Sequence, residues 1–308
     1  VADVLYYYGD KVPNSATPKN THFVVGPGYD YEVINTEILL NDLTVKNGRL
    51  VLSNGATFRM LALDKEEKIN PFVLVKLNEL AKSGAIIIGA KPKNVEELKN
   101  GSGTKGESLI NNVWTNVSDP STMHIDKKGK IYDGIKPSEM LRVLDVPSDF
   151  TYPDNESWLL DFIHYRKNDI DFYFVRNTTD QWISRKCGFR QQSKIPEIWN
   201  PLNGKIVSIP GYEQQGKYIN IPITLAPYGS YLVVFKKGHA TSLFTDVTTI
   251  HGASPPLMEF THDGIIFLNA GNFELKNKSA TRQIENKQTI QAINGSWDVS
   301  FTKGWGAP

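Results

Sequence analysis

The chain has 308 residues, 40% of them hydrophobic and 22% charged, with a formal net charge of +1. That balance describes a globular chain with a normal buried core and about two domains. It gives no electrostatic reason to expect nucleic acid or an anionic membrane, and no apolar run approaches the roughly 20 residues of a membrane-spanning helix. The single cysteine, Cys187, excludes an internal disulfide and any multi-cysteine zinc site.

In chain order, residues 1–150 read as an α/β domain. Val4–Tyr8 is a short apolar strand that the chain enters without an initiator Met, closed by a Gly-Asp turn. Asp30 is placed to cap a helix through Val33, Ile34, Ile38 and Leu39. Thr44–Leu52 is a hairpin, with Asn47-Gly48 at the turn that needs positive φ. Phe58–Leu63 is a strand. Asn70-Pro71 starts a helix that runs through Leu80 and stops at Ser83-Gly84. Ala85–Gly89 is wholly apolar, as a parallel strand covered on both faces is. This succession predicts a doubly wound sheet.

After a linker at Tyr152–Glu156 the pattern becomes β. Trp158–Tyr165 and Ile170–Arg176 are strand runs joined by Arg166–Asp169, and Ile221–Leu225 and Gly229–Phe235 follow, predicting a β-sandwich over residues 151–240. Residues 241–308 carry the further runs Gly264–Leu268 and Phe273–Leu275. They end with Trp297, Val299 and Phe301, which alternate as a half-buried strand does. The last residues, Gly304-Trp-Gly-Ala-Pro308, stop in a turn-like run. Both ends predict a piece of a longer polypeptide whose next β domain has just begun.

Motifs with chemistry are few. Gly101-Ser-Gly-Thr-Lys-Gly106 matches G-x-G-x-x-G, but it follows a polar, helix-like stretch instead of a strand, so a surface loop is the better reading. The six histidines are scattered, with no pair at zinc spacing. Glu66-Glu67 and the group Asp161, Asp169, Asp171 are carboxylate clusters of the kind a glycosidase needs. They lie in charged turns or on alternating strand faces, which favours a solvated surface. Cys187, on an alternating run, reads as a packed strand thiol. Trp199, in Pro-Glu-Ile-Trp-Asn-Pro, reads as a packed anchor and not a sugar platform. Tyr29, Asp30 and Tyr31 follow the glycine pair around Pro27. Besides a helix cap, this loop is expected to be a ligand loop at the carboxyl end of an early element.

Several stretches together resemble glycoside hydrolase family 106, the α-L-rhamnosidase-like enzymes. They are Val1–Gly9, Gly28–Asn35, Gly48–Gly55, Gly84–Pro92, Phe174–Asn177, Pro196–Gly204 and Leu225–Phe235. Trp297–Phe301 looks like the start of a sugar-binding β-sandwich shared with family 2 glycosidases.

The resemblance implies a flavodoxin- or amidotransferase-like α/β domain, an immunoglobulin-like sandwich and the beginning of a further β domain. It implies a parent in which a catalytic (β/α)8 barrel precedes Val1, working with inversion, an acidic pair and a calcium ion. None of those positions lies in this chain, so the resemblance implies no catalytic residue, metal ligand or cofactor here. The implied partners are the missing barrel and carbohydrate, with the parent periplasmic, surface-exposed or secreted. The expected role is that of a non-catalytic accessory fragment, with Tyr29, Asp30 and Tyr31 facing the barrel's substrate cleft. A carbohydrate-binding module and an independent hydrolase in the α/β half are the alternatives.

Overall fold

The computed structural model describes residues 1–9, 25–96, 103–120, 123, 125, 130–154, 158–238, 242–251, 254–262, 264–287, 289–304 and 306. The first half opens with β1 (Val4–Tyr7), β2 (Tyr31–Ile34), α1 (Thr36–Asn41), β3 (Thr44–Lys46), β4 (Arg49–Val51) and β5 (Thr57–Phe58). It continues with β6 (Met60–Leu63), β7 (Lys68–Ile69), α2 (Pro71–Lys82), β8 (Ile86–Ile88) and β9 (Asn94–Val95). It closes with α3 (Gly103–Val113), β10 (Trp114–Asn116), β11 (Ile131–Asp133) and α4 (Pro137–Val143). Six of these strands form one parallel sheet in the order β10-β11-β8-β6-β1-β2.

Local chemistry explains the elements. Asn47 and Gly48 sit at φ 53° and 72° and close the β3–β4 hairpin, the mirror-image turn that suits a twisted ribbon. Asn70 caps α2, its Oδ1 accepting the Phe72 N–H at 2.9 Å, and Pro71 fills the first helical position. The helix ends where Gly84 takes φ 94°. Its buried stripe of Val73, Leu74, Leu77, Leu80 and Ala81 packs on one face of the sheet, with Leu5, Leu61, Ile87 and Ile131. On the other face Val4, Tyr6, Met60, Ile88 and Tyr132 pack against Met140 and Leu141 of α4.

The expected class does not form. The described residues are mostly β, 43% strand and 13% helix, and the flavodoxin- or amidotransferase-like α/β reading is overturned. A doubly wound domain puts a substantial helix in each crossover. Here the connection from β2 to β6 holds one 6-residue helix and the small antiparallel sheet β3-β4-β5.

Smaller corrections follow the same logic. Asp30 does not cap a helix: Tyr31–Ile34 is a strand paired in register with Val4–Tyr7, and the cap is Asn35, whose Oδ1 accepts the Ile38 N–H at 3.0 Å. Gly103 to Gly106 belong to helix α3 and not to a loop, while Gly101 and Ser102 lie outside the described residues.

The second half comprises β12 (Phe150–Thr151), β13 (Leu160–Lys167), β14 (Ile170–Asn177), β15 (Ile183–Phe189), β16 (Lys194–Trp199), β17 (Ile206–Ser208), β18 (Glu213–Gln215), β19 (Tyr218–Leu225) and β20 (Ser230–Lys237). They make two antiparallel sheets, β12-β15-β19-β18 and β13-β14-β20-β16-β17. Tyr173, Phe189 and Phe235 fill the space between them as a ring cluster, with centroids 5.0 to 5.6 Å apart.

Five more strands follow: β21 (Asp246–Thr249), β22 (Met258–Thr261), β23 (Gly264–Phe267), β24 (Gly271–Lys276) and β25 (Thr281–Asn286). Phe244, Val247, Met258 and Phe260 from this region join the sandwich core. Trp297, Val299 and Phe301 are 68%, 71% and 63% exposed and form no strand. Their alternation is that of a strand with one buried face, and no sheet lies against them.

Candidate functional site

The register of the parallel sheet decides which of its ends meets the sandwich. Val4 pairs with both Tyr31 and Met60, so the loop before Tyr31 lies at the amino ends of the strands, not at the carboxyl ends where ligand loops of such sheets sit. That loop is part of the junction. The Gly28 carbonyl accepts from the backbone N–H of Asp149 at 2.7 Å and of Phe150 at 3.1 Å, and the Tyr29 hydroxyl donates to the Val146 carbonyl at 2.7 Å. Asp30 Oδ1 accepts the Tyr31 N–H at 2.8 Å, and the Tyr31 ring meets Tyr6 edge-on at 5.4 Å. All three side chains are half-buried, and both tyrosines pack against the apolar cluster over α4. The structure therefore groups Tyr29, Asp30 and Tyr31 beside the contact between the two halves.

The strongest concentration of titratable groups is at this same junction, and sequence reasoning missed it. His164, on β13, is placed between two buried carboxylates: Nδ1 lies 2.7 Å from Asp149 Oδ2 and Nε2 lies 2.7 Å from Asp171 Oδ1. Tyr173 stacks on the imidazole at 3.9 Å and donates to Asp149 Oδ1 at 3.0 Å; Gln191 Nε2 in turn donates to the Tyr173 hydroxyl at 2.9 Å. Lys194 and Arg166 both donate to Asp171. Arg190 donates to Asp3 Oδ2 at 2.9 Å and lies 3.2 Å from Asp149 Oδ1, while Arg59 donates to Asp3 Oδ1 at 2.9 Å. The Val1 nitrogen donates to the His164 carbonyl. Asp171 is wholly buried, which corrects its placement on a solvated face.

The electrostatics follow from these contacts. Burial on its own raises a carboxyl, because it penalises the charged form. For Asp149 the hydrogen bond and charge of His164, then Arg190, outweigh burial and hold the group below its ordinary value. For Asp171, hydrogen bonds from His164, Lys194 and Arg166 do the same, and the group is held well below it. Burial pushes the Tyr173 phenol up, with Asp149 adding to the effect. Both ring nitrogens of His164 thus lie at hydrogen-bond distance from a buried carboxylate. Asp149 and Asp171 each accept from more than one neighbour inside the fold. The arrangement clamps the start of β1 to the sandwich.

Elsewhere, a cleft of about 520 Å³ opens at the carboxyl ends of β1 and β6, lined by Tyr7, Leu63, Asp64, Glu66, Glu96 and Trp114. Among the described residues no group of three His, Cys, Asp or Glu side chains is placed to hold a metal. Cys187 is fully buried in β15, its thiol pushed well up by burial. Trp199 is half-buried on the outer face of the five-stranded sheet and not in its core. It donates to Glu197 Oε2 at 2.9 Å, meets Phe172 edge-on and lies beneath Lys236. No helix of the described residues is long and apolar enough to cross a membrane.

The fold and its buried clamp thus define a mostly β protein in which a parallel sheet is locked to an antiparallel sandwich. Comparison with known proteins supplies the family. The chain belongs to glycoside hydrolase family 106, described as α-L-rhamnosidase, whose sequence model matches residues 1–214. A curated relative from Formosa agariphila, a "putative beta-glucuronidase", is 28% identical over 99% of this chain and 26% of its own length. The rhamnosidase from Novosphingobium sp. PP1Y is similar in structure, with a TM-score of 0.66 and 24% identity over 81% of this chain and 24% of that one. A β-galactosidase from Bacillus circulans sp. alkalophilus overlaps 76% of this chain and 41% of its own at 12% identity, with a TM-score of only 0.43. The chain spans about a quarter of the length of the first two relatives.

Proposed function

We propose that this chain is a non-catalytic accessory part of a larger, exported glycoside hydrolase, and that its parent is an inverting α-L-rhamnosidase acting on plant polysaccharide. The share of its relatives' length carries the reading, since the chain covers 26% of one and 24% of the other; the titrating groups agree with it. A glycosidase's general acid is a carboxyl raised by its surroundings so that it still holds a proton near neutrality. In this chain Asp149, Asp169, Asp171 and Glu197 are all shifted the other way, each held down by cationic or hydrogen-bonding neighbours within the fold. Such groups fasten elements together. The lengths of the two relatives agree with a parent about four times as long.

In this reading the clamp keeps the sandwich seated on the amino ends of the parallel strands, and the calcium site and acidic pair belong to the parent's catalytic barrel. Asp30 and Tyr31, each with part of its surface open, are the chain's contact toward the parent's substrate, with Tyr29 anchoring their loop through Val146. The test is kinetic. Purified 308-residue chain should release no more aryl alcohol from an aryl α-L-rhamnoside than a mock purification does, and clear turnover would end the reading. In the full-length parent, Asp30→Ala with Tyr31→Ala should raise KM and leave kcat near its starting value. Indifference of both constants would remove the loop from the substrate side.

A further inference from the structure

The two sheets of the sandwich close over Tyr173, Phe189 and Phe235, but on the side of β17 and β19 the seam between them stays open. The β22–β23 hairpin contacts both of those strands, and its inward residues Met258 and Phe260 join the core. Beside it lies a cleft of about 340 Å³, near the lower bound of the roughly 300–1,000 Å³ of small-molecule sites. Two packed sheets normally interdigitate until such space is gone.

The lining divides by chemistry. The cross-strand pair Ile198 and Val207, with Met258 and Phe260, makes an apolar floor. Tyr231, Glu259, Thr261, Asn203 and Lys205 supply polar groups. Burial first, and then the charge of Glu259, raise the Tyr231 phenol, so it remains a hydroxyl donor within electrostatic reach of that carboxylate. The side-chain oxygens of Asn200 and Asn203 already accept the backbone N–H groups of Leu202 and Lys205, at 2.9 and 3.0 Å. Their amide NH2 groups are what they offer to a ligand. Lys205 and Glu259 bring one positive and one negative charge to the lining. An ionic ligand would meet one of these two charges as an opponent. A neutral ring with apolar C–H faces and a hydroxyl edge meets floor and polar groups alike.

We propose that this seam cleft binds one neutral pyranose unit of a saccharide, its C–H face on the Met258–Phe260 side and its hydroxyls toward Tyr231, Glu259 and Asn203. The site shares no residue with the clamp. The inference does not rest on the accessory reading: rhamnoside turnover by the chain would end that reading and leave this one standing.

The experiment titrates the 308-residue chain with methyl α-L-rhamnoside, and separately with D-glucuronate, following backbone amide NMR shifts. Saturable shifts at residues 200–207 and 258–262 are expected with the rhamnoside, with a Kd on the order of 1 mM, and none with glucuronate. Tyr231→Phe and Glu259→Gln should each weaken binding about tenfold at an unchanged melting temperature, the effect of losing one hydrogen bond to a buried ligand group. If either variant melts early, Thr261→Ala replaces it. The proposal is overturned by absence of saturable shifts, by shifts that map to another cleft, by glucuronate binding as tightly, or by affinity indifferent to these substitutions.

Discussion

Arg190 donates a 2.9 Å hydrogen bond to Asp3, a residue 187 positions earlier in the chain. Its guanidinium also donates to the Pro147 carbonyl at 2.7 Å and reaches Asp149 at 3.2 Å. One planar group therefore ties the start of the parallel sheet, the linking segment and the buried histidine cluster together. A planar fork can hold three acceptors at once; a lysine ammonium could not match it.

Arg190→Met should accordingly destabilise the protein by about 3–5 kcal/mol, because Asp3 and Asp149 would stay buried with part of their compensation removed. Urea unfolding followed by far-UV circular dichroism measures it. A loss no greater than the roughly 1 kcal/mol of an exposed ion pair would mean that the junction is wetter than the structure describes.

Acid should open the clamp. Unfolded aspartates titrate near pH 4, and Asp149 and Asp171 titrate lower in the folded protein. A depressed folded value means the unfolded chain binds protons first. The stability these groups contribute is thus fully present above about pH 5 and is lost as pH falls through 4 toward their folded values. Unfolding midpoints measured from pH 7 to pH 2 should drop steeply over the acid limb. Asp171→Asn should start lower at pH 7 and fall less on acidification; an equally steep limb in that variant would assign the effect to other groups.

Trp199→Ala should be milder than its size suggests. A fully buried Trp costs about 3–5 kcal/mol on truncation, but Trp199 is half-buried on an outer sheet face, between Phe172, Glu197 and Lys236. About 2 kcal/mol is expected for the apolar area it does cover. Phe189→Ala, at a position with no exposed surface, should cost about 3–5 kcal/mol. Comparing the two by thermal melting tests the placement: equal losses would put Trp199 in the core.

Cys187 should be chemically silent. The side chain is fully buried and burial disfavours its thiolate. An aromatic disulfide reagent should label it only after denaturant is added, at a rate that follows global unfolding. Prompt labelling of the native protein would show that β15 opens locally.

Much of this protein is legible in short stretches of sequence, because the physics there is local. Asn47-Gly48 permits a left-handed turn, Asn70-Pro71 starts a helix, and the β-rich run Ile170–Arg176 marks the strand β14. Even the hidden cluster left a trace: His164 is in phase with buried Phe162, and Asp171 with buried Tyr173 and Val175. A charge in phase with a buried face is the signal that a solvated-surface reading overlooks.

Other features depended on partners far away in the chain. Residues 31–34 became a strand because β1 offers a parallel ladder, and that pairing outweighed the helical spacing from Val33 to Leu39. The same register moved Tyr29, Asp30 and Tyr31 from the expected ligand end of the sheet to the end that meets the sandwich. Trp297, Val299 and Phe301 have a strand's pattern and no sheet beside them, so the pattern alone formed nothing. The sequence by itself determined where the chain can turn, cap and alternate, since one or two side chains settle each of those. Only the tertiary structure decided the fold class, the burial of Asp171 and the union of Asp3 with Arg190, because a buried charge is stable only where its partners arrive, and they come from positions up to 187 residues apart.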